Sequence, residues 1–341
     1  MTDSEEALLE AARRGDAAAF SQVVASYRPA LQAHCYRMLG SVQDAEDALQ
    51  DALLNAWRAL PRFEARSSLR SWLYRIATNA CLKTIARRPK RVLPVDYGPP
   101  ADPHDPLAQP LVEAIWLEPY PDVGLEVEDR LPSPDARYEL RESIELAFVA
   151  ALQYIPGRQR AVLILRDVLG FTAREVAATL EMTPAAVNTA LQRAHRTVDE
   201  RLPPKSQQAT LNALGNEGLR EMVDRFVDAW ERADVGSVVA MLAADATIAM
   251  PPRPTWYRGK DAVASFLQTV ALAGDKRWRL QTVNANGQLA FGEYLWSETT
   301  QSFVAEAVTV LTIADNMITD ISSFRLPDLF ARFGLPDHLE P

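Results

Sequence analysis

The sequence predicts a multidomain chain: two all-α blocks, the second built on a helix-turn-helix, followed by an α+β block. Three observations carry that expectation. Apolar residues recur at helical spacing through residues 1–91 and again through 141–203. Residues 92–140 between them are crowded with proline and acid, a composition that resists regular helix. From residue 204 onward, helical spacing hands over to alternating runs separated by Asn286-Gly287 and Asp315-Asn316, both turn signals.

A chain of 341 residues can fill such cores. Its two cysteines, Cys35 and Cys81, are too few for a disulfide framework or a zinc site, so a reducing compartment fits and neither metal nor cofactor is expected. No secretion-signal pattern and no run of about 18 apolar residues occurs, which points to a cytoplasmic protein without a membrane partner. The net charge of −9 is unevenly spread: residues 1–91 carry +4, 92–140 carry −9, 141–205 carry +2 and 206–341 carry −6. The helical blocks are therefore the mildly basic parts.

In the first block a Gly15-Asp16 break and a Gly40 stop punctuate residues 4–40. Ser41, with Asp44 three positions on, has capping-box spacing and opens an amphipathic helix. Ala45, Leu49, Ala52, Leu53, Ala56, Trp57 and Leu60 face one way, while Glu46, Asp47, Gln50 and Asn55 face the other. On spacing alone that acidic face reads as solvated surface.

Residues 58–91 reverse the charge, with ten basic groups against the single acid Glu64. Leu69, Trp72, Leu73, Ile76, Ala77, Ala80 and Ile85 form the buried face of a helix, which leaves Arg66, Arg70, Asn79, Lys83 and Arg87 outward with Tyr74 beside them. Cations crowded this closely repel one another until a polyanion relieves them, and aromatic rings give unstacked bases a face to rest on. Nucleic acid is the expected partner.

Most of the linker composition suits a plain tether. Trp116-Leu117-Glu118-Pro119 is the exception, because a large apolar side chain flanked by leucine needs a docking place. Beyond it, residues 171–196 state a geometry. Val176, Ala177 and Leu180 make one apolar stripe; Val187, Ala190, Leu191 and Ala194 make a second after a short break. Two helices must cross, the second capped by Thr183 with Pro184 at its first position. The outward face of that helix carries Ala185, Asn188, Thr189, Gln192, Arg193 and Arg196, short polar and basic groups suited to a major groove.

In the last block, helical spacing at 219–233, 238–242 and near 260–270 alternates with strand-like runs at 247–250, 278–284, 289–297, 303–313 and 318–324. Helices followed by a meander predict a cone, a curved sheet wrapped over helices around an apolar pocket. Phe226, Trp230, Met250, Trp256, Trp278, Tyr294 and Trp296 are the candidates to line it, and core packing accounts for the same residues.

The order DAEDALQDALLNAWRAL (44–60), Phe63, SLRSWLYRIATNACL (68–82), an acidic linker and IPGRQRAVLILRDVLGFTAREVAATLEMTPAAVNTALQRAHR (155–196) resembles a bacterial extracytoplasmic-function (ECF) sigma factor. FVDAWERADVGSVVAMLAADATIAMPP (226–252) resembles the SnoaL-like superfamily, and FARFGLP (330–336) resembles the tail of sigma factors that carry this domain. The resemblance implies sigma region 2 in residues 1–91, an acidic linker in 92–140, sigma region 4 in 141–203 and a SnoaL-like domain in 204–341.

It also implies partners. Asp47, Gln50 and Asp51 would dock on the β′ clamp helices of core RNA polymerase, and region 4 would sit on the β flap. Phe63, Arg66, Arg70, Tyr74, Asn79, Lys83 and Arg87 would melt the −10 promoter element and hold a flipped base. Thr183, Pro184, Ala185, Asn188, Thr189, Gln192, Arg193 and Arg196 would read the −35 duplex. The recognition helix departs from the commonest family pattern at Asn188, Ala190 and His195, which replace basic residues, so fewer phosphate contacts and a modest salt dependence are expected.

Trp116 and Leu117 resemble a Trp-Leu-Pro linker motif of sigma factors with C-terminal extensions, which implies a cis-regulatory contact with the SnoaL-like domain, with or without a small-molecule ligand. Ketosteroid-isomerising relatives place a carboxylate base and a tyrosine donor where this chain has Met250 and Phe226. Neither can move a proton, so catalysis is not expected. Two other readings fit the sequence less fully: a one-component DNA-binding regulator that senses a small molecule, and a SnoaL-type enzyme fused to a DNA-binding segment.

Overall fold

The computed structural model describes residues 3–64, 67–111, 115–122, 143–326 and 328–341. The chain divides into two compact units, one made of residues 1–91 and 124–202, the other of 92–123 and 203–341.

The first unit is helical. α1 (Asp3–Arg13), α2 (Ala17–Ala25), α3 (Arg28–Leu39), α4 (Val42–Ala59) and α5 (Leu69–Ile85) bury Leu31, Met38, Ala45, Leu49, Ala56, Leu73 and Ala77 together with the free thiols of Cys35 and Cys81. Helix starts follow local chemistry: the Asp16 carboxylate accepts from the Ala18 and Ala19 amides, Ser41 Oγ from the Asp44 amide and Ser68 Oγ from the Ser71 amide. The expected capping role of the Asp44 side chain is not what the fold uses. Its carboxylate is buried and ion-paired with Arg88 and Arg91 instead.

Four more helices occur among the described residues of this unit: α6 (Leu146–Leu152), α7 (Gly157–Leu163), α8 (Ala173–Leu180) and α9 (Pro184–Asp199). A π-helical turn at Ile164–Val168 leads into the loop that carries Leu169 and Phe171. The two halves of the unit pack directly on each other. Arg160 donates to the Met38 carbonyl, Arg37 Nε donates to the Ser143 carbonyl at 3.2 Å, and the Tyr74 and Phe171 rings meet edge-on at 5.4 Å.

The second unit is the expected α+β cone. Its sheet runs β2 (Trp256–Arg258), β1 (Leu242–Ala249), β6 (Met317–Phe324), β5 (Ser302–Ala314), β4 (Gln288–Ser297), β3 (Trp278–Ala285), with β7 (His338–Leu339) paired to β5. β1 and β6 run parallel and the other neighbours antiparallel. Both turn signals hold, since Asn286, Gly287, Asp315 and Asn316 all adopt positive φ, as two-residue hairpin turns require. β2 and β7 escaped the sequence because strands of two or three residues have no period to read.

α10 (Gln207–Glu231), kinked at Gly215 (φ 67°), lays Phe226 and Trp230 on this sheet, with α11 (Val235–Ala240) and α12 (Lys260–Phe266) beside it. Val238, Ile248, Val263, Phe266, Phe291, Leu311, Ile313 and Ile321 complete the core. The Gln207 side chain fastens the start of α10 by donating to the Ile313 carbonyl (2.9 Å) and accepting from the Ile313 amide (2.8 Å).

Candidate nucleic-acid and polymerase interface

The predicted −35 face forms as one surface. Thr183 Oγ1 accepts from the Ala186 amide at 3.2 Å and starts α9, whose Val187, Ala190, Ala194 and Val198 are buried. Thr183, Pro184, Ala185, Asn188, Thr189, Gln192, Arg193 and Arg196 are all exposed. The Thr189 hydroxyl donates to the Ala185 carbonyl at 3.1 Å. His195, one of the departures from the family pattern, contacts the Asp167 carboxylate at 2.5 Å.

The preceding helix has a feature that the sequence reading passed over. Thr172 Oγ1 accepts from the Glu175 amide, and the Glu175 carboxylate accepts from the Thr172 amide, a complete capping box with Thr-x-x-Glu spacing. These bonds hold the Glu175 carboxyl below its usual range. Thr172→Ala is expected to destabilise the first unit by about 1 kcal/mol, read as a lower urea midpoint at unchanged slope.

The predicted polymerase face is also exposed: Asp47, Gln50 and Asp51 line α4, with Trp57 below them against Phe20 (centroids 5.1 Å). Leu54, 48% exposed, lies one turn from Gln50 and Asp51 and adds an apolar spot that the sequence analysis left out.

The predicted −10 face is divided. Arg70, Asn79, Lys83 and Arg87 are exposed on or just beyond α5, and Arg66 lies outside the described residues. Phe63 and Tyr74 do not stand outward as expected. Phe63 packs on Trp72 (4.9 Å) beneath the Arg13 guanidinium. Tyr74, 2% exposed, sits edge-on between His34 and Phe171, and Arg70 lies 4.3 Å from the Phe171 centroid while donating to the Leu169 carbonyl at 2.9 Å. The physical reason is the second helical half, whose loop covers this stretch of α5 in the closed unit. Burial also keeps His34 neutral, its pKa pulled to about 3, where it shares a 2.9 Å hydrogen bond with Thr78.

In the second unit the seven aromatic and methionine candidates do not gather into one pocket. Phe226, Trp230, Met250 and Trp278 join the packed core, Phe226 stacking on Phe291 at 5.1 Å. Tyr294 turns instead to Phe330 and donates to the Pro336 carbonyl at 3.0 Å. Trp296 is half-buried against Phe303, and Trp256 donates to the Gly98 carbonyl at 2.9 Å. Strand alternation puts Tyr294 and Trp296 on the face of β4 opposite Phe291, and the β4–β5 register slips between Glu293 and Tyr294, where β5 carries the extra residue Glu306.

That slip follows a residue the sequence analysis missed. Glu293 is 2% exposed, its Oε1 has no hydrogen-bond partner, and burial pushes its pKa up to about 7. The signal was present in Leu289, Phe291 and Glu293, which share one strand parity.

The linker residues 92–111 and 115–122 are fastened to this unit. Ala101 N donates to the Trp256 carbonyl (2.8 Å), Leu111 N to the Pro252 carbonyl (3.0 Å) and Arg253 to the Ala108 carbonyl (2.6 Å). At the other end, Asn286 Oδ1 accepts from the Tyr120 amide and its own amide donates to the Tyr120 carbonyl. Trp116 is buried with Val92 and Ile115, its ring 5.4 Å from Tyr97, and Leu117 is fully buried. A helical turn at Pro94–Tyr97 and a tight turn in which the Asp105 amide donates to the Asp102 carbonyl at 3.0 Å punctuate the linker's described residues.

The sigma-70 region 2 family model matches residues 23–91, sigma-70 region 4 matches 145–198, and the SnoaL-like domain matches 223–321. The ECF RNA polymerase sigma factor SigG of Mycobacterium tuberculosis is 40% identical over 331 residues, which cover 96% of this chain and 86% of that protein. The chain belongs to the ECF sigma factors. The RNA polymerase sigma-H factor of Pseudomonas aeruginosa, 28% identical over 207 residues, covers 61% of this chain and is itself 98% covered. The crystal structure of the Mycobacterium tuberculosis extracytoplasmic function sigma factor SigJ shares the fold, with a TM-score of 0.57 at 22% identity over 93% of this chain and 99% of that one.

This ECF sigma factor is a promoter-directing subunit that works with RNA polymerase. Its exposed surfaces differ in chemistry: an acidic face on α4, a polar and basic face on α9, and a basic stripe along α5. Among the described residues no helix is long and apolar enough to cross a membrane, and no cluster of metal ligands occurs.

Proposed function

We propose that this ECF sigma factor docks on core RNA polymerase through Asp47, Gln50 and Asp51, reads −35 duplex through α9 and melts the −10 element with the α5 face, while its SnoaL-like unit regulates it in cis from the cytoplasm. The observation that carries the regulatory part is the fastening of residues 98–111 and 115–122 to Pro252–Trp256 and Asn286 of the SnoaL-like unit. The linker between the two sigma regions is thereby a ligand of the regulatory domain, and anything that loosens this domain also frees the linker. Coverage of Tyr74 by the Phe171 loop, with the exposed Arg70 tied to the Leu169 carbonyl, makes the closed first unit a resting form, which polymerase opens by binding the two halves at separate sites.

We read the SnoaL-like unit as non-catalytic. Met250 and Phe226 occupy the places that proton transfer would need, and the neighbouring Trp230 and Trp278 pack against each other at 6.4 Å. The boundaries 1–91, 92–140, 141–203 and 204–341 remain our assignment of the functional parts.

Run-off transcription with purified core polymerase tests the proposal, comparing the full chain, Trp116→Ala and the 1–205 fragment. Both changes are expected to alter transcript yield several-fold in the same direction, with linker cleavage by protease accelerated in Trp116→Ala. Equal yields from all three, with equal cleavage rates, would remove the cis-regulatory role. Absence of promoter-dependent transcript on every template would remove the surface assignments.

A further inference from the structure

We propose that the first unit binds a small phosphorylated molecule, of mononucleotide size, in a cavity between its two helical halves. The cavity holds about 320 Å³, the lower end of the range for small-molecule sites. Asp44, Arg88, Lys90 and Arg91 line one side, and Tyr154 and Arg160 the other. Nothing in the sigma-type surfaces described above uses this place.

Charge is the first argument. Among the described lining residues four cations face one carboxylate, Asp44, which is paired with Arg88 and Arg91. Arg160 is 4% exposed, yet all its acceptors are neutral: the carbonyls of Met38, Gln153 and Ile155, and Gln153 Oε1 at 2.7 Å. Its Nε has no partner, and no acid reaches it among the described residues. Burying a guanidinium without a counter-ion is costly, because no opposite charge repays its lost hydration. Desolvation accordingly pulls the Arg160 pKa down to about 10.

The second argument is chemical fit. A phosphate monoester carries close to two negative charges and three acceptor oxygens, which match guanidinium forks and would leave the site near neutrality. Inorganic phosphate alone would fill little of the volume. The remaining wall is apolar and aromatic, with Leu39, Ile85, Ile155 and the Tyr154 ring, over which Lys90 Nζ lies 3.4 Å from the centroid. That wall suits the organic part of a nucleotide. Arg91 and Arg160 are too deeply buried for the backbone of a duplex to reach them, which favours a free phosphate ester over DNA. Because the walls come from both halves, an occupant would hold the unit closed.

The test uses the full-length protein at constant ionic strength, with GMP, pyrophosphate, guanosine and a promoter-length duplex as probes in thermal unfolding and calorimetric titration. GMP is expected to bind and to raise the unfolding midpoint, and guanosine to do neither. The double variant Arg88→Gln/Lys90→Gln, at more exposed positions that leave Arg160 in place, is expected to weaken GMP at least about tenfold with an unchanged circular dichroism spectrum. Guanosine acting as well as GMP, GMP acting equally on the double variant, or stabilisation by the duplex alone would each overturn the proposal.

Discussion

Reversing charge on the α4 face, with Asp47→Lys and Asp51→Lys together, is expected to weaken core polymerase binding by about a hundredfold, because like charges set opposite one another at an interface cost several kcal/mol. Both residues are exposed on a helix whose opposite face is buried, so the fold should tolerate the change. Run-off transcript should fall in proportion, while binding of the protein to −35 duplex alone stays as it was. Leu54→Asp should act in the same direction, since this exposed leucine lies one turn from Asp51. Polymerase affinity unchanged in the double variant would move the docking surface elsewhere on the molecule.

The second large effect is on stability. Burial raises the Glu293 pKa from 4.5 to about 7, outweighing a hydrogen bond with Thr309 and the nearby Arg325 charge, which both pull it down. The folded state therefore holds a proton that the unfolded state has released between these two values. Stability falls across that window as pH rises and stays low above it, by about 3 kcal/mol in all. Glu293→Gln keeps the size and removes the charge. It is expected to stabilise the SnoaL-like unit by up to about 3 kcal/mol at pH 8 and by little at pH 4.5. Urea unfolding at both pH values checks this, and an equal gain at both would show that ionisation of Glu293 is not the cause.

Much of the architecture was legible because it is periodic. The stripes Val176–Leu180 and Val187–Ala194 specified two crossing helices, and Asn286-Gly287 and Asp315-Asn316 specified hairpins. Exposure of the candidate site residues was legible where a helix presents them to solvent by its own geometry, as on α4 and α9. It was not legible where a distant segment decides exposure. No spacing within α5 says that Phe171 will cover Tyr74, 97 residues away in sequence, and Phe63 is hidden by packing on Trp72 rather than by any local pattern. The linker is the clearest case. Its attachments at Ala101, Leu111 and Tyr120 are largely through main-chain groups, which leave no mark on side-chain composition.

The first of the three places where the chain passes from one unit to the other is the peptide bond between Arg91 and Val92. Arg91 is buried and ion-paired with Asp44 in the sigma unit. Val92, the next residue, donates its amide to the Ile115 carbonyl at 2.9 Å, and its own carbonyl accepts from Leu117 at 3.0 Å, both in the other unit. Adjacent Cα atoms across a trans peptide stand about 3.8 Å apart, so no spare chain separates these two anchors. A hinge with slack would absorb a small displacement of the linker. A joint without it passes the displacement on: shifting Val92 strains either the Arg91–Asp44 pair at the base of α4 or its own pairing with the linker, and mechanical load concentrates on whichever holds longer.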